Sequence, residues 1–108
     1  MRSLIREKFS QTHINHLSQA GYDWHCVKNN QICFHRIIDT YRLFPRFHLW
    51  IRPAANSFEM SLHLDQFSLQ HESNHEEAWA YEGRRIQEEL QRVTGFLKQS
   101  NGIKQVSH

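Results

Sequence analysis

The sequence is poor in the residues that build cross-linked, fibrous or low-complexity proteins. It has only 2 Cys, 4 Gly and 2 Pro among 108 residues. Two cysteines are too few for a disulfide framework or for an all-thiolate metal site, and so little Gly and Pro argues against a disordered or collagen-like chain. The sequence therefore predicts a globular chain with free thiols, of the kind found in a reducing compartment.

Long apolar runs are missing as well. No stretch approaches the roughly 18 apolar residues that a membrane-spanning helix needs, and charged residues interrupt the start of the chain, where a signal peptide would have its apolar core. We therefore expect a cytoplasmic protein without a membrane partner. The chain length matches the commonest domain size, so we predict one domain, over residues 1–99. Residues 100–108 are mostly polar, and we expect them to form a frayed tail.

Charge is weak overall and uneven along the chain. The formal net charge is +2, which is too small to indicate nucleic acid as a partner. Residues 1–58 contain 8 Lys or Arg against 3 Asp or Glu, whereas residues 59–108 contain 5 against 8. Glu76, Glu77 and Glu82 would repel phosphate from the second predicted helix. Nucleic-acid binding is therefore a second alternative, and a protein partner, either a second copy or another protein, is expected.

Hydrophobic spacing predicts a helix at each end of the chain. In the first, apolar residues recur at roughly helical spacing and stop before Gly21, a residue that favours the left-handed cap of a helix. These residues are Leu4, Ile5, Phe9, Ile14 and Leu17. We predict a first helix over residues 3–20, capped by a contact between Tyr22 and Leu17.

The second helix is predicted from a capping box formed by Ser73 and Glu76, in which each side chain would satisfy a backbone N–H at the helix start. The residues of its inward stripe are Trp79, Gly83, Ile86, Leu90, Val93 and Leu97. Gly83 would let the helix axis approach the sheet closely, and the helix would end near Gln99.

Two hairpins are predicted between these helices. Residues 24–27 and 32–38 are rich in β-formers and flank Asn29 and Asn30, which suit a two-residue turn because Asn tolerates positive φ. The opposed pairs would be Val27 and Ile32, Cys26 and Cys33, and Trp24 and His35. Residues 46–52 and 58–65 alternate strictly between apolar and polar side chains, which predicts a second hairpin with one buried face.

The element order predicts an α+β fold, α-β-β-β-β-α, with a four-stranded antiparallel meander and both helices on one face. Pleating would turn a second set of side chains away from the helices. This set is Trp24, Cys26, Cys33, His35, His48, Trp50, Arg52, Ser61, His63 and Asp65. A merely solvated face would carry Lys, Glu, Thr and Ser, so we expect the exposed aromatic and imidazole side chains to mark a binding surface.

The predicted function is a small non-catalytic interaction or binding module, with a homodimer as one form of it. Its partner- or ligand-binding face would be built from Trp24, His35, His48, Trp50, Arg52 and Ser61. Two other outcomes are open for this face. The link of residues 40–45, with Tyr41, Leu43 and Phe44, could fold over it, or a small ligand could occupy it.

An alternative is a divalent-metal site. The sequence has nine His, and His63, Asp65, His71 and His75 cluster near the end of the last strand. Imidazole and carboxylate suit zinc and similar ions. The spacing is weak, because the predicted cap at Ser73 separates His71 from His75 and no H-E-x-x-H motif is present.

The cysteines have two interpretations. Cys26 and Cys33 would face each other at a hydrogen-bonded pair, where backbone separation strains a disulfide, so two thiols are expected and a redox switch is the alternative. Cys33 and His35 are neighbours on one strand face but lack a third group to orient them. No catalytic residue is predicted.

Overall fold

The computed structural model describes residues 1–42, 45–65 and 75–106 and, within the last range, the side chains of residues 83–98. The strands are β1 (Arg2–Ile5), β2 (Asp23–Lys28), β3 (Gln31–Ile37), β4 (Arg46–Pro53) and β5 (Phe58–Asp65), and the helices are α1 (Gln11–Gln19) and α2 (His75–Val106). All strand pairs are antiparallel, in the order β1-β5-β4-β3-β2. The predicted α+β class is confirmed, whereas the element order is β-α-β-β-β-β-α.

The chain begins with a strand, so the prediction of a helix over residues 3–20 and of four strands is wrong in this region. Leu4 pairs with Glu59 and Ile5 with Phe58, which adds β1 to the free edge of β5. Ile5 is buried and Leu4 is exposed. Two adjacent apolar residues fit a strand as well as a helix, and pairing with a distant edge decided between them.

Helix α1 begins at an N-cap in which histidine replaces the usual carboxylate. The backbone N–H of Ser10 donates to Nδ1 of His13 at 3.0 Å, and Nε2 of the same ring lies 3.1 Å from Oε1 of Glu7. The helix ends as predicted, with Gly21 at φ +97°. The N–H of Tyr22 donates to the carbonyl of Leu17 at 2.9 Å, the long bond of a Schellman motif.

The β2–β3 hairpin turns where it was predicted to. Asn29 and Asn30 have φ of 54° and 61°, as a type I′ turn requires. The predicted pairs nearest the turn, Val27 with Ile32 and Cys26 with Cys33, are confirmed.

Beyond Cys26 the predicted register is wrong, because β2 contains a bulge between Trp24 and Cys26. Trp24 is opposite Phe34 and not opposite His35. Cross-strand partners point to the same side of a sheet, so Trp24 shares the side of the buried Phe34, where it is 62% exposed. The extra residue His25 has its ring centroid 4.5 Å from that of His35. Because of the bulge, the imidazole of His25, and not the indole of Trp24, lies on the side of the sheet away from Phe34.

Both helices pack on one side of the sheet. The buried residues on that side are Ile5, Leu17, Ala20, Tyr22, Phe34, Phe47, Leu49, Ile51, Phe58, Met60, Leu62, Leu90, Val93 and Leu97. They include the predicted apolar faces of β4 and β5 except Leu64, which is partly buried, and three of the six residues of the predicted stripe of α2. An added Cβ at Gly83 would meet none of the described residues within 4 Å, so the expected close approach to the sheet there is wrong.

Helix α2 extends past Gln99, where the tail was predicted to begin, to Val106. The predicted capping box at Ser73 and the loop before it lie outside the described residues, as does the side chain of Trp79. Neither α1 nor the described part of α2 has a stretch that is both long and apolar enough to cross a membrane.

A buried carboxylate joins α2 to the rest of the fold. Glu89 is 6% exposed, and Arg92 donates to both of its oxygens at 2.9 Å. The hydroxyl of Tyr22 donates to Oε2 at 2.7 Å, and Nη1 of Arg36 lies 3.4 Å from the same atom. Arg92 also donates to the carbonyl of Ala20 at 2.6 Å. The network ties the end of α1 and strand β3 to α2.

Burial alone would raise the pKa of Glu89. The hydrogen bonds from Arg92 and Tyr22 and the charges of Arg36 and Arg92 outweigh it, so the pKa lies below its usual value. Glu89 is therefore ionised at neutral pH and holds its donors in place.

Candidate functional site

The strand residues that point away from the helices form what we call the open face. They are Arg2, Leu4, Asp23, His25, Cys26, Lys28, Gln31, Cys33, His35, Ile37, Arg46, His48, Trp50, Arg52, Glu59, Ser61, His63 and Asp65. Within the described ranges no helix packs on this face. Tyr41 of the link is 94% exposed and does not cover it, while Leu43 and Phe44 lie outside the described residues.

Three side chains form a hydrogen-bonded chain across the middle of the open face. Sγ of Cys33 on β3 lies 2.6 Å from Nε2 of His48 on β4, and Nδ1 of His48 lies 2.9 Å from Oδ2 of Asp65 on β5. His48 is opposite His63, and His63 is two residues from Asp65 on β5. Cys33 and His48, and likewise His48 and Asp65, are thus diagonal neighbours on adjacent strands. Long side chains can span that distance.

The partners fix how the chain is protonated. A carboxylate only accepts hydrogen bonds, so Nδ1 of His48 carries the hydrogen donated to Asp65, and Nε2 accepts from the Cys33 thiol. Nε of Arg46 lies 3.8 Å from the same carboxylate oxygen. A thiol, an imidazole base and a carboxylate that orients the base are the parts of an activated cysteine.

Burial keeps this thiol protonated. Cys33 is 0% exposed. Burial, and after it the neighbouring thiol of Cys26, raises the pKa of Cys33 to about 12. The thiol is therefore neutral at physiological pH and needs His48 to remove its proton before it can react.

Aromatic rings surround His48. Its ring stacks on Trp50 with centroids 4.9 Å apart, and the ring of His25 lies 6.1 Å away. Burial and the charges of His25, Arg46 and His48 lower the pKa of His35. The imidazole of His35 is thus neutral at neutral pH, and it adds ring surface to the open face without adding charge.

Beside Trp50 the open face has a concavity of about 320 Å³. Its lining residues are Lys28, Asn29, Gln31, Trp50, Ser61 and His63. Oγ of Ser61 lies 3.2 Å from Nε2 of His63. Partial desolvation lowers the pKa of the exposed His63 ring, and the N-terminal ammonium group, His48 and Arg2 lower it further, although Asp65 opposes them. None of the described lining residues is a carboxylate.

The structure gathers only part of the predicted binding face. His35, His48, Trp50 and Ser61 lie together in the middle of the open face. Arg52 is on the same side, opposite Glu59. Trp24 is on the helix side because of the bulge, so its predicted place on the face is wrong. The Cys33–His48–Asp65 chain was missed, since Cys33 had been considered with Cys26 across the hairpin and with His35 of its own strand, but not with β4 or β5.

The predicted metal ligands are not seen as a group. His63 is exposed, and Asp65 bonds to His48. His71 lies outside the described residues, as does the side chain of His75 at the start of α2. In the part of the chain that the structure describes, no three His, Cys, Asp or Glu side chains are placed to hold a metal ion. Zinc binding by all four residues stays a prediction.

Comparison with known proteins adds no function to this geometry. The chain matches no protein-family model, no curated protein and no solved structure. The functional proposal therefore depends on the chemistry of the open face alone.

Proposed function

We propose that the protein is a non-catalytic binding module that takes a protein partner on the open face. Trp50 is the central anchor, and an acidic side chain of the partner enters the concavity beside it. The observation that carries the proposal is an indole and a group of imidazoles on a sheet face that no described helix covers. Tryptophan is enriched where proteins meet other proteins. A protein whose cysteines are free thiols suits a reducing compartment, and we propose a cytoplasmic location.

The open face has the size of a protein interface. Strands spaced by about 4.8 Å, with about 3.4 Å per residue, make a five-stranded face of roughly 24 by 27 Å, or on the order of 600 Å². A standard interface buries about 800 Å² on each partner. The face can therefore provide most of one side of such an interface, whereas a small ligand would need only the concavity.

The lining of the concavity favours an acidic group. Lys28 is cationic, and Asn29, Gln31 and Ser61 offer neutral N–H or O–H donors. A carboxylate can accept several such hydrogen bonds at once, and bonds to a charged acceptor are the stronger kind. Since no acid lines the concavity, a carboxylate from the partner would meet donors without a competing charge.

The first test is to titrate the ¹⁵N-labelled protein with tetraglutamate peptide and follow its amide resonances. We expect shifts at Lys28, Gln31 and Ser61. Trp50→Ala should weaken binding about 30-fold, the effect of losing a 2 kcal/mol anchor. Trp24→Ala is the matched control, because it removes an exposed indole on the helix side and should leave affinity unchanged.

The probe also distinguishes the competing explanations. Equal binding of free glutamate would indicate a small-anion site and not a protein-binding surface. Shifts confined to the helix side, or equal losses for the two tryptophan variants, would contradict the proposal. Light scattering on the wild type and on Trp50→Glu identifies the partner class. A dimer that becomes a monomer in the variant shows that a second copy is the partner.

A further inference from the structure

The two thiols of the chain lie directly opposite each other. Cys26 on β2 pairs with Cys33 on β3, and both are free. Cys26 is half-buried and can be reached from solvent, whereas Cys33 is fully buried. Nothing in the proposed binding function uses this pair.

The position in the hairpin sets what kind of bond these thiols can form. Counting from the two-residue turn, Lys28 and Gln31 are a hydrogen-bonded pair, and Cys26 and Cys33 are the next one. Cα atoms of such pairs lie about 5.5 Å apart, within the range of about 4.4–6.8 Å that disulfides span. A bridge there is strained, and strained disulfides are the easily reduced ones.

Strand β2 can adjust to such a bond. Among the described strands it pairs with β3 alone, at the edge of the sheet. The bulge between Trp24 and Cys26 interrupts its pairing immediately beside the thiol, and bulges bend and twist the strand that carries them. Small movements of Cys26 toward Cys33 therefore disturb no second strand.

We propose that Cys26 and Cys33 form a thiol–disulfide exchange site for small-molecule disulfides, with His48 as the base that serves Cys33. The thiolate of Cys26 attacks one sulfur of the small disulfide, whose S–S bond breaks and releases one thiol. Cys33 then gives its proton to Nε2 of His48, attacks Sγ of Cys26 and expels the second thiol. The protons of the two cysteines end on the two released thiols. Two protein thiols are oxidised, and one external disulfide is reduced.

Exposure and contacts set the order of the two steps. Only Cys26 is open to a molecule from solvent, so it attacks first. Cys33 is buried with its sulfur 2.6 Å from Nε2 of His48, and its raised pKa makes it unreactive without that base. Asp65 stabilises the imidazolium formed when His48 takes the proton, through the hydrogen bond at Nδ1.

The test uses the reduced full-length protein and oxidised glutathione, with samples acid-quenched and their intact masses measured over time. The wild type should pass through a single-glutathione adduct to an adduct-free form that has lost two hydrogens. Cys33→Ser should accumulate the adduct, because nothing resolves it. Cys26→Ser should form none. A lasting adduct on the wild type, a disulfide-linked dimer, no reaction, or an adduct on Cys26→Ser at the wild-type rate would each overturn the proposal.

His48 is tested by separating the two steps. His48→Asn should form the adduct at the wild-type rate and resolve it about 100-fold more slowly, an effect typical of losing a general base. His16→Asn is the control, since His16 lies on α1 against Gln19 and is also largely buried. It should leave both rates unchanged. If His48→Asn slows both steps equally, or neither, the assigned role of His48 is wrong.

Discussion

Replacing Glu89 with alanine is expected to lower the free energy of unfolding by about 3 kcal/mol. Breaking a buried ion pair from one side costs about 3–5 kcal/mol because the remaining charge is stranded. Here the side chain of Arg92 is 36% exposed and its charge regains some hydration, so we expect the lower end. Tyr22 also loses the acceptor of its buried hydroxyl, which adds a desolvation cost. Urea unfolding at neutral pH followed by circular dichroism measures the loss.

Glu88→Ala is the matched control. Glu88 precedes Glu89 on α2, but its side chain is exposed. Surface substitutions without special contacts change stability by about 0.5 kcal/mol or less. Equal losses for the two variants would show that helix propensity, and not the buried network, decides the result.

The contribution of Glu89 to stability should also depend on pH. The folded pKa of Glu89 lies below its usual value of 4.5. A carboxyl whose pKa is lowered by folding contributes stability that is fully present above the unfolded-state pKa and is lost as the pH falls through the folded-state pKa. The stability difference between the wild type and Glu89→Gln should therefore be constant above about pH 5 and shrink at lower pH. A difference independent of pH down to acid unfolding would contradict this assignment.

The hairpins were predictable because the signals that define them, strand alternation and turn residues, lie within the hairpin sequences themselves. Strict alternation over residues 46–52 and 58–65 sets which side chains are buried, and a one-residue error would expose all of them. Asn29 and Asn30 set the register of the first hairpin in the same way. Strand β1 escaped prediction because its partner β5 is distant in sequence, and nothing in residues 2–5 distinguishes a short strand from the start of a helix.

The sequence predicted which residues of β4 and β5 share the open face, but not which side chains of the candidate site contact each other. Which residues of β4 and β5 share the open face follows from alternation alone. The bulge at His25 has no signature in the surrounding residues, so Trp24 was assigned to the wrong side. Contact between Cys33 and His48 depends on the register of β3 against β4. Because the link between these strands is irregular, the sequence does not predict that register.

Phe58 is the side chain whose truncation should disturb the most contacts. It is fully buried, and its ring meets those of Phe9 at 5.0 Å and His13 at 4.9 Å. It also pairs with Ile5 on β1 and Pro53 on β4. One ring on β5 therefore contacts the segment before α1, helix α1 and the position opposite β1.

Phe58→Ala should lower the free energy of unfolding by about 3–5 kcal/mol, the range for removing a buried aromatic ring and leaving a cavity. Small domains are stable by only about 5–15 kcal/mol, so this loss is a large part of the total. Hydrogen exchange of the β1 amides should accelerate markedly in this variant, because that strand loses the ring opposite Ile5. Phe9→Ala is the control. Phe9 is half-buried, so its removal deletes an aromatic contact of about 0.5–1.5 kcal/mol without enclosing a void. If the two variants lose equal stability in urea, the centre of this cluster is not Phe58.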